Sequence, residues 1–180
     1  DTNVTVSYTP GKDGNGNNIG TACTETQTIS AGGSKTFALA AFDQTQTGED
    51  CADKVRFVGS ARVTANSATQ PLAAVINQTN NNKGFGSAYA SFDPTKATAK
   101  VSLPLVIDNN GRFKNFSGIS IANVGADPVN ITCVYSTQNG HTPAADSETA
   151  VAPGAAMVRV HGGKLRKDDS TAYVGAAVCT

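Results

Sequence analysis

Tryptophan is absent, methionine occurs once, and the only histidines are His141 and His161. A chain so poor in acid–base and nucleophile partners offers little for catalysis. Charge is sparse too: 16% of the 180 residues are charged, where about 25% is usual for globular domains. The 14 basic residues balance the 14 acidic ones, so the formal net charge is zero. Nucleic-acid binding needs a basic footprint, and none exists here. No apolar run approaches the roughly 18 residues of a spanning helix, so no membrane span is expected. The four cysteines, Cys23, Cys51, Cys133 and Cys179, contain no Cys-x-x-Cys pair and no His stands near them. Zinc and c-type haem spacings are thereby excluded, and no cofactor or metal is expected.

What fills the chain instead is 21 Thr, 13 Ser, 15 Asn and 18 Gly. This is structural material. An even cysteine count without metal spacing points to two disulfides and an oxidising compartment. The chain opens at Asp1 without an initiator Met, as a cleaved secretory signal would leave it, although a trimmed chain would look the same. The expected localisation is extracellular, at the cell surface.

Helix signals are nearly missing, since the best candidate, 67–76, is broken by Pro71. Strand signals recur as alternating apolar and polar residues between Gly, Asn, Asp and Pro clusters. In 3–8, Val4, Val6 and Tyr8 share one face while Thr5 and Ser7 share the other. Further runs are 26–37, 54–65, 71–78, 86–92, 99–107, 116–124, 129–136, 150–160 and 171–180. Asn110-Gly111 and Asn139-Gly140 fall between runs, as hairpin turns prefer. The expected fold class is all-β, an antiparallel sandwich.

The chain also carries an internal repeat. Asn3-Val-Thr-Val-Ser-Tyr8 aligns with Asn130-Ile-Thr-Cys-Val-Tyr135, and Phe57-Val-Gly-Ser-Ala-Arg-Val-Thr64 aligns with Tyr173-Val-Gly-Ala-Ala-Val-Cys-Thr180. Between them, Thr28-Ile-Ser-Ala-Gly32 pairs with Ala150-Val-Ala-Pro-Gly154. Three matches in one order imply two copies of one strand plan, a first unit over 1–95 and a second over 96–180. In this alignment Cys133 stands for Val6 and Cys179 for Val63, so a Val–Val core contact becomes a Cys–Cys contact. Of the three connectivities, Cys133–Cys179 with Cys23–Cys51 is expected.

The two copies are cut differently. The second carries a hairpin, 101–107 with 116–123, before its Asn-Ile-Thr strand; the first carries one, 71–78 with 86–92, after its Val-Gly-Ser-Ala strand. Each unit therefore lacks a different strand pair, and an incomplete sandwich exposes an apolar slot and an unpaired edge. Strands are then shared between the halves or supplied by neighbouring subunits.

At Leu103-Pro-Leu-Val106, Ile119-x-Ile-x-Asn-x-Gly125, Ile131-x-x-x-Tyr135 and Ala152-Pro-Gly-Ala155, the chain resembles tandem Ig-like β-sandwich repeats of prokaryotic cell-surface and extracellular filament proteins. The resemblance implies a scaffold, stalk or fibre subunit, and it brings no catalytic residues.

Candidate sites are few. Asp13-Gly-Asn-Gly-Asn17-Asn18 begins like a calcium loop, but it lacks Gly at its sixth position and has Thr24 where a Glu should close the site, so it reads as a turn. Sequons occur at Asn3, Asn77, Asn115 and Asn130, about as many as composition alone gives; Asn77 and Asn115, near turns, are the glycosylation candidates. Neither histidine has a Ser or Cys nucleophile attached, Ser60 reads as a solvated strand hydroxyl, and the pairs Glu49-Asp50 and Asp168-Asp169 lie in polar loops. The chain is not expected to be an enzyme.

The reading that follows is a structural subunit polymerising head to tail by β-strand complementation, its partners being copies of itself, with glycans as attached groups. The strand donor is expected from 2–9, with Val4, Val6 and Tyr8, or from 171–180, with Tyr173 and Ala177. The alternative is a monomeric adhesion or ligand-binding module from a longer repeat protein.

Overall fold

The computed structural model describes residues 1–12, 16–37, 57–80, 85–112 and 114–180. It is all-β, and its sheets are antiparallel throughout.

In the first half, β1 (Thr2–Pro10), β2 (Cys23–Ile29) and β3 (Gly59–Ala65) form a sheet in the order β2-β1-β3. The alternation in β1 does what its spacing dictates: Val4, Val6 and Tyr8 are buried, and Ser7 is exposed. Val6, Tyr8 and Cys23 make a small core with Phe37 and Phe57 packed against it. The sequence placed the second strand at 26–37, but the strand starts three residues earlier and stops at Ile29. A turn with Gly32 at φ 72° and the Gly33 amide bonded to the Ser30 carbonyl ends it.

A hairpin follows, β4 (Val75–Asn80) with β5 (Phe85–Ala90), paired only with each other among the described residues. A 3-10 turn at Pro94–Lys96, capped by Asp93, then leads into the second half.

That half is a two-layer sandwich. One sheet is β6 (Val101–Asp108), β11 (Tyr173–Cys179), β8 (Val129–Tyr135) and β9 (Asp146–Val151), in the order β6-β11-β8-β9. The other pairs β10 (Ala156–Val160) with β7 (Gly118–Ala122). Val106, Ile119, Ile131, Met157, Leu165 and Tyr173 from both layers are buried in one core. Each large apolar side chain buried there is worth about 1.5–3 kcal/mol. The sequence read 150–160 as one strand. It is two strands in different sheets, because Ala152-Pro-Gly154 turns the chain with Gly154 at φ 78°. Asn139 (φ 50°) and Gly140 (φ 73°) form the expected two-residue turn, with Gln138 and His141 exchanging both backbone hydrogen bonds.

The two large sheets share a register. Val6 faces Val63, and Cys133 faces Cys179; Tyr8 faces Ala61, and Tyr135 faces Ala177. On the other flank Val6 faces Glu25 and Cys133 faces Asp146. Beyond that point β9 carries one extra residue. Ala150 takes a positive φ there, and its amide donates to Asn130 Oδ1 at 2.9 Å.

Candidate assembly surface

Cys133 and Cys179 are joined, with Cα atoms 4.0 Å apart, across adjacent strands of one sheet. The expected Cys23–Cys51 bridge involves Cys51, which lies outside the described residues, as do Asp13 and Asn15 of the calcium-like loop.

The strand-donor candidates are interior. β1, with Val4, Val6 and Tyr8, is flanked by β2 and β3; β11, with Tyr173 and Ala177, is flanked by β6 and β8. Both edges of each strand are hydrogen-bonded within the chain, and all five side chains are buried. Within the single chain these residues are core, not a free strand.

The open surface is elsewhere. The edge of β3 away from β1 has no strand hydrogen-bonded to it among the described residues, although β10 lies against β3; the same edge of β11 is paired with β6. The inner faces differ in the same way: Val63 is 37% exposed, and Cys179, at the matching ladder position, is 2% exposed. Ala61 is exposed and Ala177 buried. The hairpin presents further apolar surface, with Val75 70% exposed and Leu72, Tyr89 and Phe92 also open to solvent.

Asn77, one glycosylation candidate, sits exposed on β4 rather than in a turn. Asn115, the other, is exposed at the close of the loop after β6, exchanging backbone hydrogen bonds with Asn110.

A polar network that sequence reasoning missed holds the second sandwich together. His161 is fully buried where β10 ends; its Nδ1 donates to the Ser117 carbonyl at 3.2 Å. Its Nε2 meets Asp146 Oδ2 at 2.9 Å and the Tyr135 hydroxyl at 2.7 Å, while that hydroxyl donates to Asp146 at 2.6 Å. Arg159 Nε lies 3.6 Å from Asp146 Oδ1, and its Nη1 pairs with Glu148 at 3.1 Å. Burial raises the Asp146 carboxyl, but the hydrogen bonds from Tyr135 and His161, with the charges of His161 and Arg159, outweigh it and hold the group below its ordinary value. Burial first, then the hydrogen bond and charge of Asp146, push the Tyr135 phenol above its ordinary value. A phenol held so firmly as a donor is suited to locking two layers, not to proton transfer. In the first half, Tyr8 makes the corresponding reach to Glu25 at 3.5 Å.

Two other sequence-flagged groups are structural. Ser60 is not solvated; its hydroxyl donates to the Gly154 carbonyl and ties β3 to the second half. Asp168 accepts from Ser170 and Thr171, which holds its carboxyl below the ordinary value and shapes the loop before β11. Asn123, the polar residue of the Ile119–Gly125 motif, is buried; it donates to the Asp127 and Val151 carbonyls and accepts from the Gly125 amide. Among the described residues, no cluster of three or more His, Cys, Asp or Glu could hold a metal ion, and no helix is long and apolar enough to cross a membrane.

No protein-family model, no curated protein and no solved structure matches the chain.

Proposed function

We propose that this chain is an extracellular structural subunit that joins copies of itself head to tail, into a fibre or pilus-like filament, by β-strand complementation. It is read as two Ig-like sandwich units, 1–95 and 96–180, built on one strand plan. Support for the common plan is the register that places Val6 against Val63 and Cys133 against Cys179. Further support is the edge-to-face ring pair Tyr8–Phe57, matched by Tyr135–Tyr173.

The observation that carries the filament reading is the contrast between 37% exposure at Val63 and 2% at Cys179. An uncovered inner face beside an open edge is a liability that added strands remove. When the added strand comes from a different patch on the neighbour, the contact does not close on itself and an open filament results. Zero net charge lets copies stack without long-range repulsion. A Cys133–Cys179 bridge suits an oxidising, extracellular setting. The reading contains no catalytic step and no cofactor; glycans attach at Asn77 and Asn115 where the secretory route supplies them.

Electron microscopy and size-exclusion chromatography of the purified chain test this. Filaments are expected; a single 18.3 kDa species at every concentration tried overturns the reading in favour of a monomeric binding module.

A further inference from the structure

We infer that strand β4 of one copy pairs antiparallel with the open edge of β3 in the next copy, taking the place beside β3 that β6 takes beside β11. This rests on the assembly reading above and names its donor and acceptor.

The acceptor is the β3 edge, which has no strand hydrogen-bonded to it among the described residues, next to the partly exposed Val63. The donor is indicated by the second half, where β6 lies antiparallel to β11, with Val101 opposite Cys179 and Ile107 opposite Val174. The segment leading into β4 resembles β6 in sequence, with two extra residues: Pro71-Leu-Ala-Ala-Val-Ile76 leads into Asn-rich Asn80-Asn-Asn-Lys83, as Pro104-Leu-Val-Ile107 leads into Asn109-Asn-Gly-Arg112. The two are thus alternative occupants of one type of place. β6 fills its place within the chain, while β4 pairs only with β5 and leaves Val75 70% exposed.

The pairing within the chain favours a second copy over a return of β4 to its own β3. As it leaves β3, Asn66 is fastened to the start of β1: its amide donates to the Asn3 carbonyl at 3.0 Å, and its Oδ1 accepts from the Asn3 amide at 3.1 Å and the Thr2 hydroxyl at 2.9 Å. These bonds extend the β1–β3 ladder by one position, and in the single chain β4 pairs with β5 and not with its own β3. Between 66 and 92 the only charged residue is Lys83, so β4 enters the contact with no ionised side chain to desolvate and none of the charges that usually guard an edge strand. Each copy then has one donor and one acceptor, which is the stoichiometry of a head-to-tail chain.

The test compares the full chain with Ile76→Pro and with Val75→Lys by sedimentation and negative-stain microscopy. A second arm mixes chains carrying Val63→Cys with chains carrying Leu72→Cys, and compares the mixture with a chain carrying both substitutions. The full chain is expected to assemble, both hairpin variants to remain at 18.3 kDa with unchanged far-UV circular dichroism, and the mixed cysteine chains to cross-link between copies. Ile76→Pro or Val75→Lys assembling as well as the parent overturns the β4 donor and leaves the filament reading standing. A cross-link forming only when both cysteines are on one chain overturns donation between copies. A parent chain that never assembles overturns both.

Discussion

Cys179 lies directly opposite Cys133, at the ladder position that Val63 and Val6 hold in the other large sheet. The bridge therefore sits where a plain apolar pair also suffices for packing, so its main effect is on the unfolded chain. Closing a 46-residue separation restricts that chain by about 4 kcal/mol. Replacing both cysteines by Val copies the first-half pair and keeps the core filled. We expect urea denaturation of Cys133→Val/Cys179→Val to show a loss of about 2–4 kcal/mol, with native far-UV circular dichroism retained. A loss below about 1 kcal/mol contradicts the unfolded-state account.

Asp146 sets the acid limit of the second sandwich. Its folded carboxyl is below the ordinary value, so its contribution is fully present above about pH 4 and is lost as pH falls through the folded value. Asp146→Asn removes the charge facing Arg159 and His161. With the carboxylate 23% exposed, the cost at neutral pH is about 2 kcal/mol after allowing for solvent. Stability measured between pH 5 and pH 2 should fall less steeply in the variant than in the parent.

Tyr135 sets the opposite limit. Its folded value lies above the ordinary one, so its stabilisation is complete below about pH 10 and declines as pH rises beyond it. Tyr135→Phe keeps the ring against Tyr173 but loses the hydroxyl shared by Asp146 and His161. Thermal unfolding followed from pH 8 to pH 11 should show the parent losing stability at the alkaline end and the variant running flatter. At neutral pH the variant should be less stable by about 1–2 kcal/mol.

Of the two residues that set these limits, Tyr135 fell in the strand run 129–136 while Asp146 fell outside every run; other features were plain in the sequence. Alternation at Val4, Val6 and Tyr8 reads directly as a half-buried strand, and Asn139-Gly140 reads as a hairpin turn, because each is a local rule written in consecutive residues. The Cys133–Cys179 pair was legible only through the repeat, which carried long-range information that spacing alone lacks. His161 was not legible: a His before Gly162-Gly163 looks like a loop residue, and only the packing of β10 over β8 and β9 buries it beside Tyr135 and Asp146. The open edge of β3 was half legible. The mismatch in strand inventory announced it, but which strands lie interior depended on pairing, and β1 and β11 each have a neighbour on both edges.

Asn123 gives the Ile119–Gly125 motif a physical reason. Its amide nitrogen holds the Asp127 and Val151 carbonyls at 2.8 and 2.9 Å, and its Oδ1 takes the Gly125 amide at 2.9 Å. Asn123→Ala leaves these backbone groups short of partners in a site that is 5% exposed. Leaving buried groups unsatisfied costs about 2–3 kcal/mol in total, and Asn123→Asp, which sets a carboxylate oxygen against those two carbonyls, should recover none of it at neutral pH. Hydrogen exchange should localise the loss to the turn between β7 and β8 and to the end of β9.

Val63 is 37% exposed, unlike its counterpart Cys179. In the single chain it is partly open to solvent, so Val63→Ala should lower the stability of a dissociated subunit by only about 0.5 kcal/mol. Its counterpart Cys179 is closed off by the second layer, and an equal truncation there would empty a packed site. If strands from another copy cover β3 in the filament, Val63 is exposed in the subunit and buried in the polymer, and the same substitution acts twice. Val63→Ala should then raise the critical concentration for assembly several-fold while urea unfolding of the monomer barely moves. Light scattering against concentration, read beside monomer denaturation, checks this; equal shifts in both would mean that Val63 contributes only to the fold of its own subunit.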